Sequence, residues 1–321
     1  MNVVSYRRLL FVGTFWFGAA LASAQQPVSE SQLAPWEKLT EEVRTLYEQG
    51  DYPQAAQRAE EALKSAEALF GPAHPNTAAS LTNLGEIYCQ LGRFGEAESL
   101  YLHALAISEQ RLGLEHPDLA GDLSNLAGVY FNEQKYLLAE PLLKRAIGIL
   151  GRSADKNSPD IVPYLYNLAD VYGAQGRFSE AEELLQRAVR ILEAGYGGDH
   201  PLLAEALDAL AELSQRQGHF NEAEQFYGRT LRILEGVYGT GDAAVMTPLQ
   251  HLAQLDVSLG QYDKAEPLLK RALEIAQRTL LPDDPDFASV GASYADLMER
   301  TGRSDEAAVL RRQLQEGHAG R

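Results

Sequence analysis

A spacing of 42 residues runs through this chain and leaves few folds open to it. Gly50-Asp51-Tyr52, Gly92-Arg93-Phe94, Gly176-Arg177-Phe178, Gly218-His219-Phe220, Gly260-Gln261-Tyr262 and Gly302-Arg303-Ser304 lie 42 residues or twice that apart, and Gln134-Lys135-Tyr136 fills the one gap. Five residues after the first residue of each anchor stands an alanine: Ala55, Ala97, Ala139, Ala181, Ala223, Ala265 and Ala307. A fixed period of this length is the mark of a solenoid, in which each unit buries its apolar face only by stacking on its neighbours. About seven units follow without insertion. A site restricted to a methyl group predicts two helices crossing closely, where a larger side chain would cost about 1–3 kcal/mol.

Each unit reads as two helices. Upstream of the anchors, Leu81, Leu84, Gly85 and Tyr88 recur as Leu123, Leu126, Ala127 and Tyr130, and again as Leu165, Leu168, Ala169 and Tyr172, which is helical spacing. This is helix A. Downstream, Ala181, Leu184, Leu185, Ala188, Ile191 and Leu192 mark helix B, with Ser179/Glu182 and Asp263/Glu266 as expected capping boxes. Pro141 and Pro267 fall in the first turn of helix B, where the missing N–H removes no helical hydrogen bond. The anchor glycine is expected to end helix A in the left-handed conformation.

Leu84, Gly85, Tyr88, Ala97, Tyr101 and Ala104 resemble the tetratricopeptide repeat in type and spacing. The long period, the Gly-x-x-His-Pro loops at Gly71–Pro75 and Gly113–Pro117, and an Asn before the helix A Leu are similar to the kinesin light chain subtype, whose helix B is longer. The resemblance spans residues 34–316 and implies an all-α, right-handed superhelical solenoid of helix-turn-helix units turning near 50, 92, 134, 176, 218, 260 and 302. Later repeats depart from the pattern. Ser214, Asp256 and Met298 replace the helix A tyrosine, Asp242-Ala243 replaces His-Pro, and Thr247-Pro248 points to a helix that restarts late. Asp305 to Gln315 has the polar character of a capping helix, and 317–321 reads as a polar tail.

The first residues belong to another class. Arg7-Arg8, the apolar stretch Leu9 to Leu21 and Ala22-Ser23-Ala24 compose a secretory signal peptide over 1–24, with cleavage expected after Ala24 and a short linker over 25–33. The apolar stretch is shorter than the ~20 residues of a membrane-spanning helix. The chain is therefore expected to be exported, periplasmic or secreted, with no stable membrane insertion after cleavage. Cys89 is the sole cysteine, which excludes an intramolecular disulfide.

The formal net charge of -17, without a run of Lys or Arg, removes the electrostatic drive toward phosphate backbones and argues against nucleic acid as a partner. Basic peptide segments would be attracted. No phosphate-cradling glycine loop, zinc motif or nucleophile with a base at a telling spacing occurs, so neither enzyme activity nor a cofactor is expected. His74, His116 and His200 recur at equivalent positions, but neighbouring helices lie roughly 8–10 Å apart, too far for one metal ion bound at about 2 Å. They read as turn residues. His251 and Asp256 read as an ordinary pair, and Cys89 as a small half-buried side chain.

A stack of helical pairs offers a concave surface lined by its A helices. In the register implied by the resemblance, that groove takes Thr82, Asn83, Glu86 and Cys89; Ser124, Asn125, Gly128 and Phe131; Tyr166, Asn167 and Asp170; and Asp208, Glu212 and Gln215. Asn83, Asn125 and Asn167 form a series, one per repeat, whose amides offer both donor and acceptor to an extended ligand. In kinesin light chains such asparagines hold cargo peptides; the alternative is that they bridge neighbouring helices. Phe131 and Tyr166 could line apolar pockets or pack inside. The expected function is a protein- or peptide-binding adaptor, with an envelope assembly factor acting through its convex face or ends as the alternative.

Overall fold

The computed structural model describes residues 30–153, 157–281 and 284–319, with side chains over 33–152, 157–281 and 284–314. The expected signal peptide lies outside these residues. Among the described residues there are fourteen α-helices and no strand. They divide into two compact units, one ending at Arg177 and the other beginning at Phe178.

The first unit holds α1 (Glu30–Glu48), α2 (Tyr52–Phe70), α3 (Pro75–Gln90), α4 (Phe94–Leu112), α5 (Leu119–Asn132), α6 (Tyr136–Ser153) and α7 (Val162–Ala174). The second holds α8 (Phe178–Tyr196), α9 (Leu202–Arg216), α10 (Phe220–Tyr238), α11 (Met246–Ser258), α12 (Tyr262–Thr279), α13 (Pro285–Arg300) and α14 (Ser304–Ala319). Within each unit every helix packs on the next in sequence, and α3, α5 and α7 also touch in order, as stacked A helices must. This is the helical solenoid that the period predicts. Its first helix begins at Glu30, inside the stretch expected as a linker, and its last continues to Ala319, into the expected polar tail.

The turns follow the anchors. Gly50, Gly92, Gly176, Gly218, Gly260 and Gly302 all adopt φ between 72° and 81°, and Gln134 takes the same turn at φ 60°. The next N–H reaches back five residues, from Arg93 to the Tyr88 carbonyl at 2.8 Å and from Lys135 to that of Tyr130 at 2.7 Å. This closes a Schellman motif and satisfies a carbonyl that the helix end leaves open. The chain enters helix B directly from this turn, so Ser179 and Asp263 lie inside α8 and α12 rather than capping them; the N-cap of α12 is Gln261, without a side-chain bond. As expected, α11 starts late, behind a 3-10 turn at Ala243–Val245.

All seven alanines of the series are buried, at 0–1% exposure. Ala55 and Ala97 lie in a core of the first unit with Val43, Tyr101, Leu123 and Ile149, and Ala265 and Ala307 in one of the second with Leu249, Leu269, Ile275 and Leu297.

Candidate functional site

The entry to each A helix from α3 to α13 is held by one repeating device. His74 Nδ1 accepts the N–H of Asn76 at 3.1 Å, His116 that of Asp118 at 3.2 Å, and His200 that of Leu202 at 3.3 Å. Ser158, Asp242 and Asp284 accept from the residue two further on in the same register. The histidines thus serve as acceptor caps, interchangeable with Ser and Asp, which is why they recur.

A second device was not foreseen. Arg145 in α6 donates to Glu109 and, at 2.9 Å, to the Leu114 carbonyl. Arg229 in α10 binds Glu193 at 2.7 Å and the Gly198 carbonyl at 3.1 Å, and Arg271 in α12 binds Glu235 and the Thr240 carbonyl, each at 2.6 Å. Each guanidinium ties a B helix to the preceding B helix and to the loop after it. The spacing of these arginines by 42 or its multiple is the signal that would have revealed them.

The helix A tyrosines carry a third. Tyr88, Tyr130 and Tyr172 donate to Glu60 at 2.8 Å, Glu98 at 2.9 Å and Glu140 at 3.3 Å, while Arg93 and Arg177 stack 3.8 and 3.9 Å from the rings of Tyr88 and Tyr172. Where Ser214 and Asp256 replace the tyrosine, His219 and Gln261 replace the stacking cation. Where Met298 replaces the tyrosine, the cation stays: Arg303 binds Glu266 at 2.7 Å.

Between the N-terminal halves of α3, α5 and α7 and the ends of α4 and α6 opens a cavity of about 630 Å³. Its walls are apolar at Pro75, Ala78, Ala79, Ile107, Leu112, Leu150 and Tyr164, and it also presents Thr82, Asn125, Arg111, Asp118, Asp122 and Asp160. Of the residues expected in a groove, Thr82 and Asn125 meet here.

The others are distributed more deeply than their helical register suggests. Asn83 and Asp170 are half-buried. Glu86 accepts hydrogen bonds from Tyr47 at 2.8 Å, Gln90 at 3.1 Å and Tyr101 at 3.3 Å, which ties three helices together. Ser124 and Asn167 are 1% exposed and bonded to each other, Asn167 Nδ2 donating to Ser124 Oγ at 3.0 Å. In this member of the series the amide bridges α7 to α5. Phe131 is buried against Tyr136, their centroids 5.4 Å apart, and Tyr166 is 6% exposed. Cys89 is buried, and burial pushes its thiol up to about 12.

In the second unit Asp208 of α9 holds His251 Nδ1 of α11 at 2.9 Å, and Tyr227 Oη donates to Gln215 at 3.4 Å. His251 therefore pairs across helices with Asp208, not along its own helix with Asp256. Asp208, half-buried Glu212 and His251 bring ligand atoms within 4.8 Å of one another, although Asp208 and His251 already satisfy each other. Asp256 is 7% exposed; burial raises its carboxyl above the usual range and Glu224 adds to the effect, partly opposed by Lys264.

Stacked helical pairs with left-handed Gly turns, alanine crossings and a side cavity define a helical-repeat scaffold. A tetratricopeptide repeat family model matches residues 43–110, 118–194, 164–236 and 243–314, and the chain belongs to that family. Among solved structures it is similar to BtubC (BKLC) from P. vanneervenii, at 21% identity and TM-score 0.59 over 72% of this chain and 91% of that one. A variant of a putative kinesin light chain from Podosopora anserina with nearly identical TPR-like repeats is 25% identical, TM-score 0.57, over 64% and 96%. The apo form of the quorum sensor NprR from B. thuringiensis is 16% identical, TM-score 0.56, over 90% and 89%. No curated protein matches the chain. Among the described residues no helix is long and apolar enough to cross a membrane.

Proposed function

We propose that this protein is an exported adaptor that binds an extended segment of a partner protein, and that the segment enters the cavity bounded by α3, α5 and α7. The observation that carries the reading is that cavity, about 630 Å³ in size, with apolar walls and a few polar groups. Specific ligand sites have this composition and a volume of about 300–1,000 Å³. Matching a repeat scaffold rather than a catalytic family fits a binding role. Export rests on residues 1–24, whose basic start, apolar stretch and Ala-Ser-Ala end are those of a signal peptide.

The asparagines are unsuited to the test, because replacing Asn125 or Asn167 would disturb the packing between helices. Thr82→Trp and Ala79→Arg instead fill the cavity from half-buried positions. Affinity capture from an envelope extract should lose the same proteins with both variants while their helical content and melting midpoint match the parent. Unchanged capture would remove the cavity from the binding site. Fractionation with N-terminal sequencing of the recovered protein tests export; a start at Gln25 in the envelope fraction is expected, and an intact Met1 in the cytoplasm would refute it.

A second reading keeps an observation of its own. Leu137 is 83% exposed and Leu138 and Leu102 nearly half exposed, all on B helices of the first unit. Exposed leucines of this kind suit an assembly contact outside the groove. Loss of capture on Leu137→Glu, with the cavity variants silent, would favour it.

A further inference from the structure

The charge of the cavity's lining says what kind of side chain belongs there. Asp118, Asp122 and Asp160 supply three carboxylates, and Arg111 one guanidinium, which leaves the lining net acidic. Glu109, beside Asp122, is already held by Arg145. Burial, with Asp118 and Glu109 nearby, raises the Asp122 carboxyl above the usual range; the hydroxyl of Ser108 opposes this, and no cation contributes. Around these groups the walls are aliphatic and aromatic, from Ala78 and Ile107 to Leu150 and Tyr164.

Asn125 adds an independent observation. It lines the cavity at 2% exposure, and its Oδ1 is buried without a hydrogen-bond partner. Native structures seldom leave such an atom unsatisfied. The terminal amide torsion is broad, so a modest turn presents the oxygen to a donor seated in the cavity.

We infer that the cavity between α3, α5 and α7 receives a lysine or arginine side chain of an extended peptide, its cation facing Asp122 and Asp160 and its backbone N–H donating to Asn125. This rests on the adaptor reading and names the chemistry of its ligand. The aliphatic stem lies along the apolar walls, as such stems do, while the head stays among the carboxylates. The acidity of the whole chain draws basic segments toward it.

The test is selection of a phage-displayed random dodecapeptide library on the immobilised full chain. Recovered peptides are resynthesised and titrated against the parent, Asp122→Asn and Asp160→Asn. Peptides with Lys or Arg at a shared position are expected, with affinity lowered about tenfold or more by Asp122→Asn, as for close charge pairs across an interface. Replacing that Lys with acetyl-lysine should weaken parent binding similarly. Asp160 is exposed in the turn before α7, so Asp160→Asn carries the comparison should Asp122→Asn shift the melting midpoint. Peptides without a basic residue, or indifferent to both variants, would overturn the inference and leave the groove intact. Recovery of no peptide would overturn the adaptor reading and the inference with it. Spermidine titrated alone serves as the free-cation probe; tight, Asp122-dependent spermidine binding with no peptide recovered would assign the site to polyamines instead.

Discussion

The ring of Tyr101 stands 3.0 Å from the point where a side-chain carbon at Gly85 would lie, and Tyr101 is itself 1% exposed. The equivalent pairs within the units include Ala127 with Leu143, and also Ala211 with Tyr227, where a methyl group and the ring share one cluster. At Gly85 the ring stands so near that a methyl group fits only if the ring gives way. Gly85→Ala should lower stability by about 1 kcal/mol, an overpacking cost of about 1–3 kcal/mol outweighing a helix-propensity gain near 1. In the Tyr101→Leu background the same change should stabilise. A denaturant-melt double-mutant cycle without that reversal of sign would disprove the steric account.

Asp256 occupies the position at which Tyr130 donates to Glu98 and Tyr172 to Glu140, and there it faces Glu224. Its folded pKa is raised above the ordinary 3.8, so the penalty is absent below that value and grows as pH rises through the folded pKa. Asp256→Tyr should stabilise by about 1 kcal/mol or more at pH 7 by removing a buried charge and supplying a donor. Melts at pH 7 and pH 3.5 check this. An equal gain at both would exclude the charge as its origin.

Gln134 is the one non-glycine residue with positive φ among the described residues. Gln134→Gly should raise the melting midpoint by a few degrees, since the left-handed strain of about 1–2 kcal/mol exceeds the chain-entropy cost of about 0.5–1. Gly92→Gln should lower it comparably. The idea is lost if both changes move the midpoint the same way.

Arg145 binds Glu109 and the Leu114 carbonyl through different guanidinium nitrogens. Arg145→Ala should cost about 1 kcal/mol, modest because the pair is partly solvated, and Arg145→Lys should recover little of it for want of the two-pronged geometry. Amide exchange in residues 113–116 should quicken in both variants; exchange at the parental rate would mean that the loop holds itself.

Cys89 is buried and its thiol is pushed from 9.0 up to about 12. A raised folded pKa gives stability that is whole below pH 9 and lost as pH climbs from 9 toward 12, where only the unfolded chain ionises readily. Disulfide-exchange reagents at pH 8 should label the native protein far more slowly than the unfolded one. Immediate native labelling would show that the thiol is not enclosed.

What the sequence determined by itself was the local grammar. Turn glycines, methyl-only crossings and histidine turns recur at multiples of 42 residues because each is set by backbone conformation or by contact with an adjacent helix, and repetition makes such constraints visible. Tertiary structure decided which long side chains met. Helical register placed Ser124, Asn125 and Asn167 on one face, but whether that face opened to solvent depended on how closely α5 and α7 approached. At their actual spacing Asn167 reaches Ser124, while Asn125 borders the cavity. The same holds for His251, which pairs with Asp208 on another helix and not with Asp256 on its own, and for the arginines that clasp loop carbonyls one repeat back. Periodicity specifies a direction around a helix axis. The separation of two axes, and therefore which side chain becomes a partner or a cavity wall, is set by the packing of the whole stack.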